Sequence, residues 1–361
     1  MKTSQKGFTL IELMISVVLG LLIVAAVTQV YIMAVRTAST QKASAGILDA
    51  NVYGMQQVER SLRMAGLGLG DSSRLNSACS GILIANDLTS LTQCAQVTGT
   101  DATGTGTPNV SPVSRLPIAL WTNAAGENSF TSSGATPQLT IQYRAPVNML
   151  DCEGRLALGP RKVIGQNSSG SSEQQTDATG APTGESQIDV DGQVIIERYF
   201  VRNNNGTLEL RCDAGRYVTD WIRQEEDSVP ADAAVGVNAG AADITAALDA
   251  INPVNMNDDG ALIISGIDDF QLRFGVQTGD TLQYQTIAEY LANPSAATSN
   301  ISVVKMGILA KGLVATQQSE VTDNPTYTLL GEDITMASGQ PTNFIRRAYD
   351  STTMLRNSRG D

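Results

Sequence analysis

The start of this chain constrains it most. A polar heptapeptide, MKTSQKG, precedes an apolar run from Phe8 to Val35 in which Glu12 is the only ionisable side chain before Tyr31. That run exceeds the roughly 20 residues a helix needs to cross a bilayer. Lys2 and Lys6 on the short side keep that end cytoplasmic and place the rest of the chain across the membrane. A secretory signal has a shorter apolar stretch with a small-residue cleavage site after it. Here the polar-to-apolar junction, Gly7–Phe8, lies before the stretch, so cleavage there leaves the hydrophobic helix on the mature protein. A carboxylate at Glu12 costs a few kcal/mol in lipid and calls for a partner.

The helix continues past the membrane. Ile47, Leu48, Val52, Met55, Val58, Leu62 and Met64 recur in steps of three and four, with Gln41, Lys42, Asp49, Gln56, Gln57, Glu59, Arg60 and Arg63 over much of the remaining surface. Gly66, Gly68 and Gly70 end the pattern. A heptad that aligns Leu48, Val52, Met55 and Leu62 also puts Glu59 in the seam, which argues against a coiled coil. The reading is one helix from Phe8 to about Ala65, ~85 Å long at 1.5 Å per residue. Residues 8–35 lie in the membrane and residues 36–65 pack on a globular body, residues 66–361.

That body reads as β-rich. Leu139–Tyr143 and Gln271–Val276 alternate apolar and polar, as half-buried strands do. Gln193–Arg202 and Thr207–Cys212 flank Asn203-Asn204-Asn205-Gly206, a hairpin signal, because Asn-Gly accepts the positive φ angles of tight turns. A further strand spans Ile301–Leu309. Residues 98–114, 166–187 and 230–257 have loop composition, the last with a short helix at Ala241–Ile251. The fold class is therefore α+β, a long helix on antiparallel sheet.

The chemistry available is narrow. The chain contains no histidine, which removes His-based triads and His-based zinc sites. A net charge of −12 disfavours polyphosphate partners, so no nucleic-acid partner is expected. Cys79, Cys94, Cys152 and Cys212 form no C-x-x-C pair; in an exported chain the even count favours two disulfides. Three pairings exist, and proximity favours Cys79–Cys94 with Cys152–Cys212. Asn255, Asn257 and Asp259 before Gly260 resemble half of an EF-hand loop, but position twelve is Gly266 instead of the bidentate Glu, so a polar turn is the better reading. Asp189-Val190-Asp191-Gly192 reads as a turn, and the adjacent pairs Glu225-Glu226 and Asp268-Asp269 as solvated surface. No cofactor and no catalytic site are expected.

Gly7-Phe8-Thr9-Leu10-Ile11-Glu12 resembles the cleavage motif of the type IV prepilins. The resemblance implies that a prepilin peptidase cuts after Gly7 and methylates Phe8, and that Glu12 pairs with a neighbouring subunit's N-terminal ammonium to set axial register. Residues of the body resemble the PilW-type minor pilins within that family. These are Arg60–Gly66, Arg198–Arg202 with Leu208–Arg211, Ile267–Val276, Val304–Leu309, and Arg346–Tyr349 with Leu355–Asn357. Phe274 stands where that type usually has Tyr, and Gln277 where it has Asp. The resemblance implies a non-catalytic subunit in the inner membrane with a periplasmic body. Its expected partners are other minor pilins, the major pilin and the inner-membrane assembly platform. It also implies a role in priming type IV pilus growth and a place at or near the pilus tip. A J-type pseudopilin of type II secretion and a DNA-uptake competence pilin are the neighbouring alternatives.

Overall fold

The computed structural model describes residues 9–69, 81–84, 118–124, 136–164, 174–176, 182–185, 187–217, 256, 258–278, 281–292, 300–315, 326–336 and 341–355. Helix α1 runs Leu10–Met64, 55 residues without a break. Thr9 sits at its N-cap in extended conformation, with Glu12 as the N3 partner of a capping box. Large apolar side chains from Leu10 to Val35 are exposed, and the first buried one is Ile47. Met55, Val58 and Leu62 follow on the same face, all buried, as the three- and four-residue spacing requires. After Met64 the chain leaves the helix through Gly66 at φ 79°, a left-handed conformation suited to glycine.

The body is built from β1 (Leu139–Arg144), β2 (Met149–Leu150), β3 (Leu156–Ala157), β4 (Arg161–Ile164), β5 (Gln174–Thr176), β6 (Pro182–Glu185), β7 (Gln187–Val190), β8 (Val194–Asn204) and β9 (Thr207–Tyr217). Then come β10 (Ala261–Thr278), β11 (Thr281–Gln285), helix α2 (Ile287–Ala292), β12 (Asn300–Lys311), β13 (Thr326–Leu329), β14 (Glu332–Thr335) and β15 (Arg346–Met354). The main sheet has the order β1-β8-β9-β10-β12-β15, with β11 also paired to β10, and every pairing is antiparallel. Hairpin β8–β9 closes through Asn205 and Gly206, both at positive φ (50° and 86°), the geometry a two-residue turn between twisted strands needs.

Helix α1 lies on one face of this sheet. Met55, Val58 and Leu62 enter a single core with Tyr199, Leu210, Ile264, Phe270 and Met306. Gly54 permits the approach. A Cβ there would overlap Ile264 Cγ1 and come within 3.0 Å of the Ile263 carbonyl. The helix end is stitched to β1, with Gly66 N–H donating to Gln142 O at 2.9 Å and Arg144 N–H to Leu67 O at 2.8 Å. On the other face the β13–β14 hairpin lays Leu329 and Ile334 over Leu309.

Several sequence expectations need correction. β1 is buried on both faces, not one, because residues from elsewhere in the chain take up its polar side chains and its outer backbone groups. Thr140 donates to Leu120 O at 2.6 Å, Leu83 N–H donates to Thr140 O, and Tyr217 donates to Gln142 Oε1 at 3.0 Å. The tract 166–187 is not all loop: β5 and β6 form a short hairpin there, and β7 starts at its end. Asp189 belongs to β7, opposite Lys162 of β4, and not to a turn. Asp268 and Asp269 are buried, not solvated. A register shift between Ile267 and Asp269, beside Gly266 at φ 75°, turns Asp268 inward. There its carboxylate accepts from Arg346 Nε at 2.6 Å and lies 3.1 Å from Lys311 Nζ, tying β10, β12 and β15 together. Residues 98–114, Glu225, Glu226 and Ala241–Ile251 lie outside the described residues.

Two stability predictions follow from this packing. Gly54→Val overpacks the helix–sheet contact and is expected to lower unfolding stability by about 1–3 kcal/mol. Asp268→Ala leaves two cations without their shared carboxylate and is expected to cost about 3–5 kcal/mol. Urea unfolding of each variant beside the wild type measures both.

Candidate assembly surface

The N-terminal half of α1 presents a continuous apolar cylinder. Leu10–Lys42 is the one segment among the described residues long and apolar enough to cross a membrane, and no part of it is buried against the body. Glu12 is exposed on this cylinder. Its Oε2 lies 3.3 Å from Thr9 Oγ1 and 3.5 Å from Thr9 N, long distances for hydrogen bonds. The capping box thus gives the carboxylate a weak local partner and leaves acceptor capacity for a stronger one. Gly7 and Phe8 lie outside the described residues.

The second half of α1 is held by a polar node inside the apolar core. Glu197 of β8 is buried, and its Oε1 accepts from Tyr143 OH at 3.0 Å and from Cys152 N–H at 2.9 Å. Its Oε2 accepts from Tyr199 OH at 2.8 Å, and the Ser61 hydroxyl of α1 also bonds to the carboxylate. The β1–β8 register places Ile141 opposite Glu197, which brings Tyr143 in diagonally. Desolvation pushes the Glu197 carboxyl above its ordinary range, partly opposed by the hydrogen bonds it accepts. Burial and the neighbouring carboxylate push Tyr143 and Tyr199 well up, so both phenols stay protonated donors. Cys152, in the turn between β2 and β3, is disulfide-bonded to Cys212 of β9, with Cα atoms 6.2 Å apart. Cys79 and Cys94 lie outside the described residues.

Sequence reading missed Glu197, although a signal was present. Ile195, Glu197, Tyr199 and Val201 fall on one face of a strand, and three of them are apolar or aromatic. A carboxylate at period two within such a face is a buried acid in search of donors.

The acidic turn before β10 lies among arginines. Asn255 and Asn257 lie outside the described residues. Asp259 forms an ion pair with Arg202, and Asp258 Oδ1 accepts from Gly260 N–H at 2.7 Å. Arg211 donates to the Asp259 and Gly260 carbonyls at 2.6 and 2.7 Å. Glu153, Asp213 and Asp258 converge nearby, but Arg155 pairs with Glu153 and Asp258, and Arg198 with Asp213. The turn is thereby clamped by arginines. In the same region Asp151 accepts from the N–H groups of Glu153 and Arg155, which shapes the Cys152 turn.

Comparison with known families joins these two regions. Residues 2–28 match the prokaryotic N-terminal methylation motif, and residues 238–357 match the family described as Type IV Pilus-assembly protein W. The chain thus carries a prepilin-type N-terminal motif, and the last third of it is similar to the PilW family. The PilW match spans β10, β11, β12 and β15 together with α2, so it covers the half of the sheet that carries the Asp268 ion cluster. No curated protein sequence matches the chain. Among solved structures, a type IV-like pilin from Thermus thermophilus is similar at 12% identity over 64% of this chain and 84% of that one. Its TM-score is 0.27.

The Glu197 node generates a pH prediction with a definite sign. A carboxyl whose pKa is higher folded than unfolded binds more protons in the folded state. Stability therefore falls as pH rises from near the unfolded value toward the folded one. The slope from one group is at most ~1.4 kcal/mol per pH unit. Glu197→Gln abolishes this contribution, so the variant is expected to gain stability relative to the wild type as pH is raised from about 5 to 8. Urea midpoints of both proteins across that range measure it.

Proposed function

We propose that this PilW-type protein is a minor pilin that helps form the priming complex for type IV pilus growth. On this reading a prepilin peptidase removes residues 1–7 and methylates Phe8. Residues 8–35 then anchor the chain in the inner membrane, residues 36–65 carry the helix into the periplasm, and the remainder forms the periplasmic body. The observation that carries the reading is the exposed apolar cylinder Leu10–Val35 bearing one carboxylate, on a chain whose residues 238–357 match the PilW family. Such a surface needs lipid before assembly and the helices of other pilins after it. Glu12 would supply the register, since a carboxylate in that setting gains most by meeting a neighbour's N-terminal ammonium. The sheet and its hairpins would select neighbours, and the account requires no catalytic step.

A clean deletion strain, scored for surface pili and for secreted type II substrates, tests this function. Lost or sharply reduced pili with normal secretion is the expected result. Normal pili with blocked secretion would contradict it and move the protein to the pseudopilins. In the complemented strain, Glu12→Ala is expected to lower incorporation into sheared pili at least about tenfold. Leaving a charge unpaired in lipid costs more than the ~1.4 kcal/mol such a change represents. Immunoblots of the sheared fraction measure it.

A further inference from the structure

The Cys152 turn is linked to α1 at two points one helical turn apart, once directly and once through Glu197. Gln57 Nε2 donates to Cys152 O at 3.3 Å, and Cys152 N–H donates to Glu197, which Ser61 also contacts. Gln57 and Ser61 are separated by four residues and so share a helix face. Both sides of one peptide segment are therefore engaged, its carbonyl directly by the helix and its amide through a buried carboxylate. What fixes that segment in space is the bond to Cys212 on β9, a strand between β8 and β10 in the main sheet.

We propose that the Cys152–Cys212 disulfide and Glu197 are positioning groups for α1. By fixing the Cys152 turn, they set how the periplasmic half of the helix seats on the sheet, and hence the angle between the membrane-spanning half and the body. The usual effect of a disulfide is to restrict the unfolded chain, which stabilises all parts of a fold together. Here the bond has a local consequence as well. Without it the β2–β3 turn is held to β9 by non-covalent contacts such as Ala214 N–H to Glu153 Oε2 at 3.1 Å, Arg216 Nη1 to Leu156 O at 2.8 Å and the Arg216–Asp151 ion pair at 3.8 Å. A drifting Cys152 withdraws an acceptor from Gln57 and a donor from Glu197. That leaves a buried carboxylate with fewer donors directly beneath the helix, an unfavourable state that moving the helix relieves. Apolar contacts of Met55, Val58 and Leu62 supply adhesion, but they are non-directional and fix the helix angle poorly.

The inference deepens the minor-pilin reading by naming what orients its assembly helix, and its test does not depend on pilus assembly. Amide hydrogen exchange is measured on the full chain in detergent micelles, for the wild type, for Cys152→Ala/Cys212→Ala, for Gln57→Ala, and for the triple variant. In the cysteine variant, amides of residues 55–64 are expected to exchange about tenfold faster or more relative to those of β10 and β12. Gln57→Ala, with the disulfide intact, is expected to produce part of the same selective loosening. The triple variant is expected to be no looser than the cysteine variant, because one segment carries both effects. Helix and sheet amides accelerating together would overturn the proposal and leave the disulfide a general stabiliser. Should the cysteine variant fail to fold, Gln57→Ala decides alone: unchanged exchange at residues 55–64 overturns the proposal.

Discussion

An apolar helical surface with no protein against it is the constraint on which this structure depends. From Leu10 to Val35 the helix offers side chains that water cannot solvate well and that its own body does not cover. Such a surface calls for lipid or other apolar helices against it, and a carboxylate at Glu12 adds the demand for a polar partner. A carboxylate that holds only a loose capping contact with Thr9 is better paired with a cation at the same depth. The rest of the fold joins that surface to a body.

The body holds the C-terminal half of α1. The helix is unbroken from Leu10 to Met64, so whatever fixes its last three turns also aims its membrane-spanning part. Two kinds of force act there. Burial of Met55, Val58 and Leu62 attaches the helix, while Gly54 brings it close to β10 and the bonds around Gly66 and Leu67 fix its end. The Glu197 node adds directional hydrogen bonds, which specify geometry where apolar contact alone does not. On the far half of the sheet Asp268, Lys311 and Arg346 play a comparable part by locking β10, β12 and β15 in register around a bulge.

What the sequence made legible was local. Helical periodicity over residues 47–64 and the glycine exit after Met64 need only near neighbours, and the Asn205-Gly206 turn carries its own conformational signature. What stayed hidden depends on partners remote in sequence. Thr140 and Gln142 look like the solvent face of a strand until residues 81–84, 118–123 and Tyr217 arrive to satisfy them. Asp268 looks exposed because Arg346, 78 positions later, and Lys311 cannot be assigned to it from the sequence. Glu197 was readable as a polar intruder on an apolar strand face, but its four donors come from a helix, two strands and the disulfide-bonded turn. The short β5–β6 hairpin lies in a tract whose composition gives no apolar period to read.

The central claim, that the apolar helix is retained as the mature protein's membrane and assembly element, is most directly tested by the N-terminus itself. Intact-mass and N-terminal analysis of the protein recovered from the membrane fraction decides it. The account predicts a chain that begins at Phe8 and carries one added methyl group there. A chain that keeps Met1–Gly7, or one cut on the far side of the apolar stretch, would contradict it.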